Sequence, residues 1–296
     1  MSNAYEKEYL IVRNHLKEYQ TYLYQQELSE ATIAVYIKEA EKFLEYVGER
    51  YIDKSLVLEY KKCMIKQKLA VTTINQHIIA VNRYLRYSGY SNCVIKTNRV
   101  QRHTSIHNVI SEGDYLRLLE YARKTEDDKY YAIMKTLALT GIRVSELQYI
   151  TVGNMETGHI IVENKGKTRE VFLPDCLIHI LKEYCSRHHI TTGSVFQGST
   201  GKPISRMAIW NKINRMAEKA GVDRKKGHPH GFRHYFALLY MKNYSNLFEL
   251  ADILGHSSLE TTRIYAMATV EDKRARMGQL DQNEIDKIQY SVKNVK

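Results

Sequence analysis

From Ser29 onward, apolar residues recur at intervals of three and four, at Ile33, Tyr36, Ile37, Ala40, Phe43, Leu44 and Val47, and Gly48 follows. That spacing predicts an amphipathic helix that stops at the glycine. A second helical segment spans Ser55 to Leu69, and a third starts at a Thr72-Thr73 cap and carries Ile74, Ile78, Ile79, Val81 and Leu85 toward Gly89. Short helices with one apolar stripe each predict a compact helical domain over residues 1–90. Ser91 to Asn108 is polar and basic, with Lys96, Arg99, Arg102 and His103 and no sustained period. Residues 91–108 therefore read as a basic linker.

A second domain is expected over residues 109–280. Ser111 and Asp114 have capping-box spacing ahead of Tyr115, Leu118, Leu119 and Ala122, and an apolar helix from Tyr130 to Leu139 stops at Gly141. Alternation then takes over from His159 to Val162 and from Val171 to Pro174, around the polar turn Asn164-Lys165-Gly166-Lys167. This predicts a β-hairpin. Helical periodicity returns after Pro174 and persists until a polar tail, 281–296. The fold class expected is mainly α: a helical N-terminal domain, then a mainly helical domain with a small antiparallel β-sheet.

Composition adds a partner. The 296 residues are 44% hydrophobic with only 3 Pro, ordinary for a globular chain, but they carry a net charge of +11. Residues 51–100 hold 9 Lys/Arg against 2 Asp/Glu, and residues 201–250 hold 10 against 3, so each block contributes +7. Two separated basic blocks suit a protein that grips a polyanion from two sides, although solvated helix faces would look the same. No apolar run approaches the roughly 18 residues of a membrane span, and no signal peptide is recognised at the N-terminus, so a cytoplasmic protein is expected. Cys63, Cys93, Cys176 and Cys185 form no CxxC pair and read as reduced structural thiols.

Four local patterns carry residues with chemical potential. Arg143 lies just after the glycine stop in Thr140-Gly141-Ile142-Arg143-Val144-Ser145-Glu146-Leu147. His230, Arg233 and His234 share a helix face at i, i+3 and i+4 in Gly227-His228-Pro229-His230-Gly231-Phe232-Arg233-His234. His256 occupies a joint after Gly255, ahead of a Ser257/Glu260 capping box, and Tyr265 follows nine residues later on a short helix. Lys165 and Lys167 stand in the hairpin turn. Each has a bland reading as well: a surface arginine, a solvated loop lysine, or one more packing tyrosine among 23. A metal is not expected, because an arginine inside the histidine cluster repels a cation and no carboxylate or cysteine completes a shell. No cofactor motif is present.

In order and spacing, TGxRxSEL, a β-turn lysine, HxxRH and LGHSSxETTxxY resemble the tyrosine recombinase (phage integrase) family, most closely its short Xer-type and transposon-borne members. The resemblance covers nearly the whole chain and implies a core-binding domain followed by a catalytic domain. It implies a site-specific recombinase that cuts and rejoins DNA strands through a covalent 3′-phosphotyrosyl intermediate, for integration, excision or resolution. Arg143, Arg233 and His256 would bracket the phosphate, Tyr265 would be the nucleophile, and His230 would accept or relay its proton. The turn lysine, Lys165 or else Lys167, would protonate the leaving oxygen; Lys165 is preferred because it directly precedes the glycine. The implied partners are double-stranded DNA carrying recombination sites, further copies of the chain in a tetramer on that DNA, and an accessory DNA-bending or directionality protein. The turn departs from the family's GKGxK(x)R pattern in its first residue and in length, and Phe232 replaces a leucine. Two alternatives share the scaffold: a type IB topoisomerase, and a catalytically inactive DNA-binding regulator.

Overall fold

The computed structural model describes residues 15–100, 109–164, 167–256, 258–266 and 277–278. The chain divides into two compact units, Met1–Arg102 and His103–Lys296.

In the first unit, helical residues 15–25 (α1) are followed by α2 (Glu30–Val47), α3 (Lys54–Lys66) and α4 (Val71–Tyr87). The Ser29 side chain accepts from the Thr32 N–H at the start of α2, and Gly48 ends it at φ 54°. Helix α3 stops three residues before the expected Leu69, since Lys68 takes a left-handed φ of 57°. The cap expected at Thr72-Thr73 is not formed. Extended Ala70 is the cap of α4 and makes no side-chain bond, so both threonines fall inside the first turn. Phe43, Val57, Ile78, Val81 and Leu85 make the buried centre of the unit. Chain beyond residue 90 stays on it: Asn82 exchanges hydrogen bonds with the backbone of Ile95, Asn75 does the same with Asn98, and Cys93 and Ile95 are buried. Residues 101–108 of the expected linker lie outside the described residues.

The second unit opens with α5 (Glu112–Lys124), whose Ser111/Asp114 capping box is fully formed, and α6 (Asp128–Thr140), ended by left-handed Gly141. After 3-10 turns at Val144–Tyr149 and Met155–Thr157, strand β1 (His159–Asn164) pairs antiparallel with β2 (Lys167–Phe172), placing Ile160 opposite Val171. Helices α7 (Asp175–Arg187), α8 (Arg206–Lys219), α9 (Pro229–Tyr244), α10 (Leu247–Leu254) and α11 (Leu259–Arg263) follow. Tyr265 belongs to a 3-10 turn, Ile264–Ala266, rather than to the short helix expected for it. The expected Ser257/Glu260 capping box and the tail 281–296 lie outside the described residues.

Helix α6 is the spine of this unit, with Ile133, Met134, Leu137 and Ala138 all buried in the main core. A smaller cluster of Ala237, Leu250, Leu254 and Tyr265 joins α9, α10 and the 3-10 turn. That cluster packs against the C-terminal end of α10, where the Gly255-His256 joint begins.

Candidate active site

Helix α10 has only eight residues, and its last carbonyls need partners. Two are served from within: the His256 N–H donates to Ala251 and the Gly255 N–H to Asp252. The next three are each taken by a different arginine. Arg169 Nη1 donates to the Ile253 carbonyl, Arg233 Nη2 to Leu254, and Arg143 Nη2 to Gly255 at 3.0 Å. A helix C-terminus carries partial negative charge, so it holds cations that would otherwise repel one another.

Each arginine arrives from a separate element. Arg143 precedes the 3-10 turn at Val144, Arg169 stands on β2, and Arg233 is on the second turn of α9. Arg233 is the most enclosed, only 2% exposed, and its Nη1 donates to the carbonyl of Gly141 at the end of α6. Burial, with Arg143 and Arg169 nearby, lowers its pKa to about 9, which still leaves it charged at neutral pH. Glu146 supplies the counter-charge. It is 1% exposed and accepts from the Arg143 backbone N–H at 2.9 Å, from Arg143 Nη1 at 2.8 Å and from Arg169 Nη2 at 2.6 Å. Burial alone would raise its pKa, but the Arg143 hydrogen bonds and both guanidiniums hold it below the usual carboxylate range.

Left-handed Gly255 turns the chain from α10 into His256. The His256 ring is hydrogen-bonded through Nδ1 to the hydroxyl of fully buried Thr262, at 2.8 Å. Burial and the surrounding arginines lower its pKa to about 4, so it is neutral at pH 7. A groove of about 870 Å³ is lined by Arg143, Glu146, Arg169, Gly255 and His256 together with Thr168 and Glu170 of β2.

The α9 histidines separate into different jobs. His228 caps the helix, its Nδ1 accepting from the Gly231 N–H at 3.1 Å. His230 and His234 stack edge to face with ring centroids 4.3 Å apart. His234 Nδ1 lies 2.6 Å from the hydroxyl of Tyr265, whose ring is 6% exposed. Burial raises the Tyr265 pKa to about 12 although Arg233 opposes it, and burial, with the neighbouring histidines and Arg233 after it, lowers that of His234 to about 4. Among the described residues no group of three or more His, Cys, Asp or Glu is placed to hold a metal.

The structure thus gathers Arg143, Arg233 and His256 around the end of α10, and brings both His230 and Tyr265 against His234. Lys165 lies outside the described residues, and of Lys167 only the backbone, in β2, is described. Arg169, Glu146, Thr262 and the contact of His234 were not singled out by sequence. The Glu at i+3 from Arg143, the second His of HxxRH and the arginine closing the GKGxK(x)R turn pattern each offered a signal.

Residues 108–272 match the phage integrase family, more than half of the chain. The chain belongs to the phage integrase family. Among curated members of this phage integrase family, it is 33% identical over 183 residues to the tyrosine recombinase XerD of Staphylococcus saprophyticus subsp. saprophyticus, covering 58% of this chain and 61% of that protein. It is 33% identical over 150 residues to XerC of Lactobacillus delbrueckii subsp. bulgaricus, covering 47% and 50%. The chain spans about three fifths or less of the length of these curated relatives. Its fold is similar to that of the Tn1549 transposon integrase in complex with circular intermediate DNA, with a TM-score of 0.71 at 19% identity over 91% of this chain and 99% of that one. It is also similar to the XerH site-specific recombinase bound to difH substrate, at 0.67 and 22%, over 83% and 78%.

Proposed function

We propose that this integrase-family protein is a site-specific tyrosine recombinase, cutting and rejoining DNA through a covalent 3′-phosphotyrosyl intermediate. The observation that carries the reading is the convergence of Arg143, Arg233 and His256 on the end of α10, with a hydrogen-bonded tyrosine in the same cluster.

Charge explains why this arrangement suits a phosphodiester. Three guanidiniums and one carboxylate leave a net +2, and a five-coordinate phosphorane formed by oxygen attack carries up to two negative charges. Arg143 and Arg233 supply permanent charge in a fixed fork geometry. In this reading the Thr262 hydroxyl donates to Nδ1, so neutral His256 carries its proton on Nε2 and donates from there to a non-bridging oxygen. Donors held in place before reaction stabilise the developing charge without reorganising, and losing one costs on the order of 100- to 1000-fold in rate.

Tyr265 is the nucleophile in this reading, and its protonated phenol has to lose a proton as it attacks. His230 belongs to the path that proton follows, one helical turn from His234. Lys165, or Lys167, protonates the departing 5′ oxygen. Reversal by a partner strand's hydroxyl needs no external energy source, since the phosphotyrosyl ester conserves the bond. Exchange of four strands between two DNA sites calls for four such tyrosines, hence a homotetramer on DNA, with the two basic blocks contacting the backbone. An accessory DNA-bending protein is compatible with this assembly.

The test is to mix the protein with a pool of nicked duplexes of randomised centre, denature in detergent and look for protein joined to DNA. Wild type is expected to form the adduct and Tyr265→Phe to form none. An adduct in Tyr265→Phe, or none in wild type, would refute the proposal.

A further inference from the structure

We infer that His234 is itself a catalytic residue: its Nδ1 takes the phenol proton from Tyr265 as the tyrosine attacks phosphorus. This rests on the recombinase reading of the site. His234 Nδ1 lies 2.6 Å from the Tyr265 oxygen, at hydrogen-bond distance from the atom that would become the nucleophile. His230, on the same face, meets the ring of His234 rather than the phenol in the contacts described, with centroids at 4.3 Å.

The direction of the bond follows from the two groups. The phenol is protonated and the imidazole neutral near pH 7, so the hydroxyl donates and Nδ1 accepts, leaving the ring proton on Nε2. His234 is held in this position. The preceding residue, Arg233, is buried and tied through its guanidinium to carbonyls at the ends of both α6 and α10. Tyr265 is equally held, packed with Ala237 of α9 and with Leu250 and Leu254 of α10. Burial first, and the neighbouring imidazoles and the Arg233 charge after it, keep His234 from charging before substrate arrives. A phosphodiester brings the negative charge that offsets Arg233, so proton acceptance is favoured when DNA occupies the site.

The step balances. The Tyr265 oxygen forms a bond to phosphorus, the bond from phosphorus to the 5′ oxygen breaks, the phenol proton passes to His234, and the 5′ oxygen takes a proton from the turn lysine. When the strand's hydroxyl returns, the same proton goes back from His234 to the departing phenol.

Cleavage of the nicked pool, followed in single turnover, separates this role from a packing one. His234→Asn keeps an oxygen able to accept from the phenol but cannot hold a proton, whereas His234→Ala leaves space for added imidazole. Both are expected to cleave about 100-fold slower or worse, with DNA affinity unchanged, and imidazole is expected to restore His234→Ala. His234→Asn cleaving at the wild-type rate would reduce the residue to a hydrogen-bonded support for the ring. His234→Ala cleaving faster than wild type would make the bond a store for the tyrosine. Slow His234→Ala that imidazole leaves slow would likewise overturn the assignment. Each of these outcomes leaves the recombinase reading standing if wild type forms the adduct and Tyr265→Phe does not. No adduct in wild type overturns both.

Discussion

Gly255 lies so close to Arg169 that a Cβ built on it would stand 2.4 Å from the arginine's Cδ and 3.0 Å from its Nε. The glycine also holds φ +62°, a region that costs a residue bearing a Cβ about 1–2 kcal/mol. Two independent constraints therefore oppose a side chain at the joint between α10 and His256.

Gly255→Ala is expected to lower stability by at least that 1–2 kcal/mol and to displace Arg169 from the Ile253 carbonyl and Glu146. Adduct formation with nicked DNA should fall further than the stability loss explains. Urea unfolding beside single-turnover cleavage checks this, and an unchanged cleavage rate would contradict it.

Glu146→Gln removes a buried carboxylate that two arginines share, and leaving such charges uncompensated costs about 3–5 kcal/mol. The pH dependence has a definite sign. The carboxyl's folded pKa lies below its unfolded one, so its stabilisation is complete above the ordinary carboxylate range and is lost as pH falls through the folded value. Wild type and Glu146→Gln should therefore differ most at neutral pH and converge in acid, as measured by denaturant unfolding across a pH series.

His234 and His256 behave as bases whose folded pKa, about 4 for each, lies below the ordinary histidine value of 6.5. The unfolded chain binds more protons between those limits. Stability is thus whole above pH 6.5 and falls toward pH 4, by on the order of 1–3 kcal/mol. Bound DNA should raise both values, because a phosphate offsets the positive charge that, after burial, lowers them: Arg233 for both histidines and Arg143 for His256. Calorimetric titration in two buffers of different ionisation heat should show proton uptake on DNA binding near pH 5, and zero uptake would count against a phosphate beside His256.

Thr262→Val removes the hydroxyl bonded to His256 Nδ1 in a fully buried place, leaving that nitrogen unpaired. A stability loss of about 1–3 kcal/mol is expected, together with a slower cleavage step at unchanged DNA affinity. Equal cleavage rates in the variant and wild type would mean that the hydroxyl does not orient the imidazole.

What could be read in advance was whatever depends on near neighbours in the chain. Gly141 and Gly255 announce their helix ends, Ser111 with Asp114 announces a cap, and alternation around Asn164 announces the hairpin, because each is settled within a few residues. Helix α4 shows the limit of such reading. Its threonines look like a cap, yet extended Ala70 takes that place and the helix starts at Val71. The long-range partners were not legible. Arg169 reads as an ordinary polar position of a strand, and nothing local shows that Ile253, 84 residues later, brings it a carbonyl. His230 and His234 lie on one helix face, so spacing cannot tell which meets Tyr265. That is decided by how the chain after α11 returns to α9.

The short helix α10 gives three arginines from distant parts of the chain consecutive carbonyls to hold. An eight-residue helix has little stability of its own and persists only while its neighbours grip it. A local opening of α10 would free all three guanidiniums together, and re-closing would seat them together. Catalytic competence in this protein is therefore expected to follow one exchange event, readable as a shared protection of the amides of residues 251–256, rather than the independent wandering of side chains.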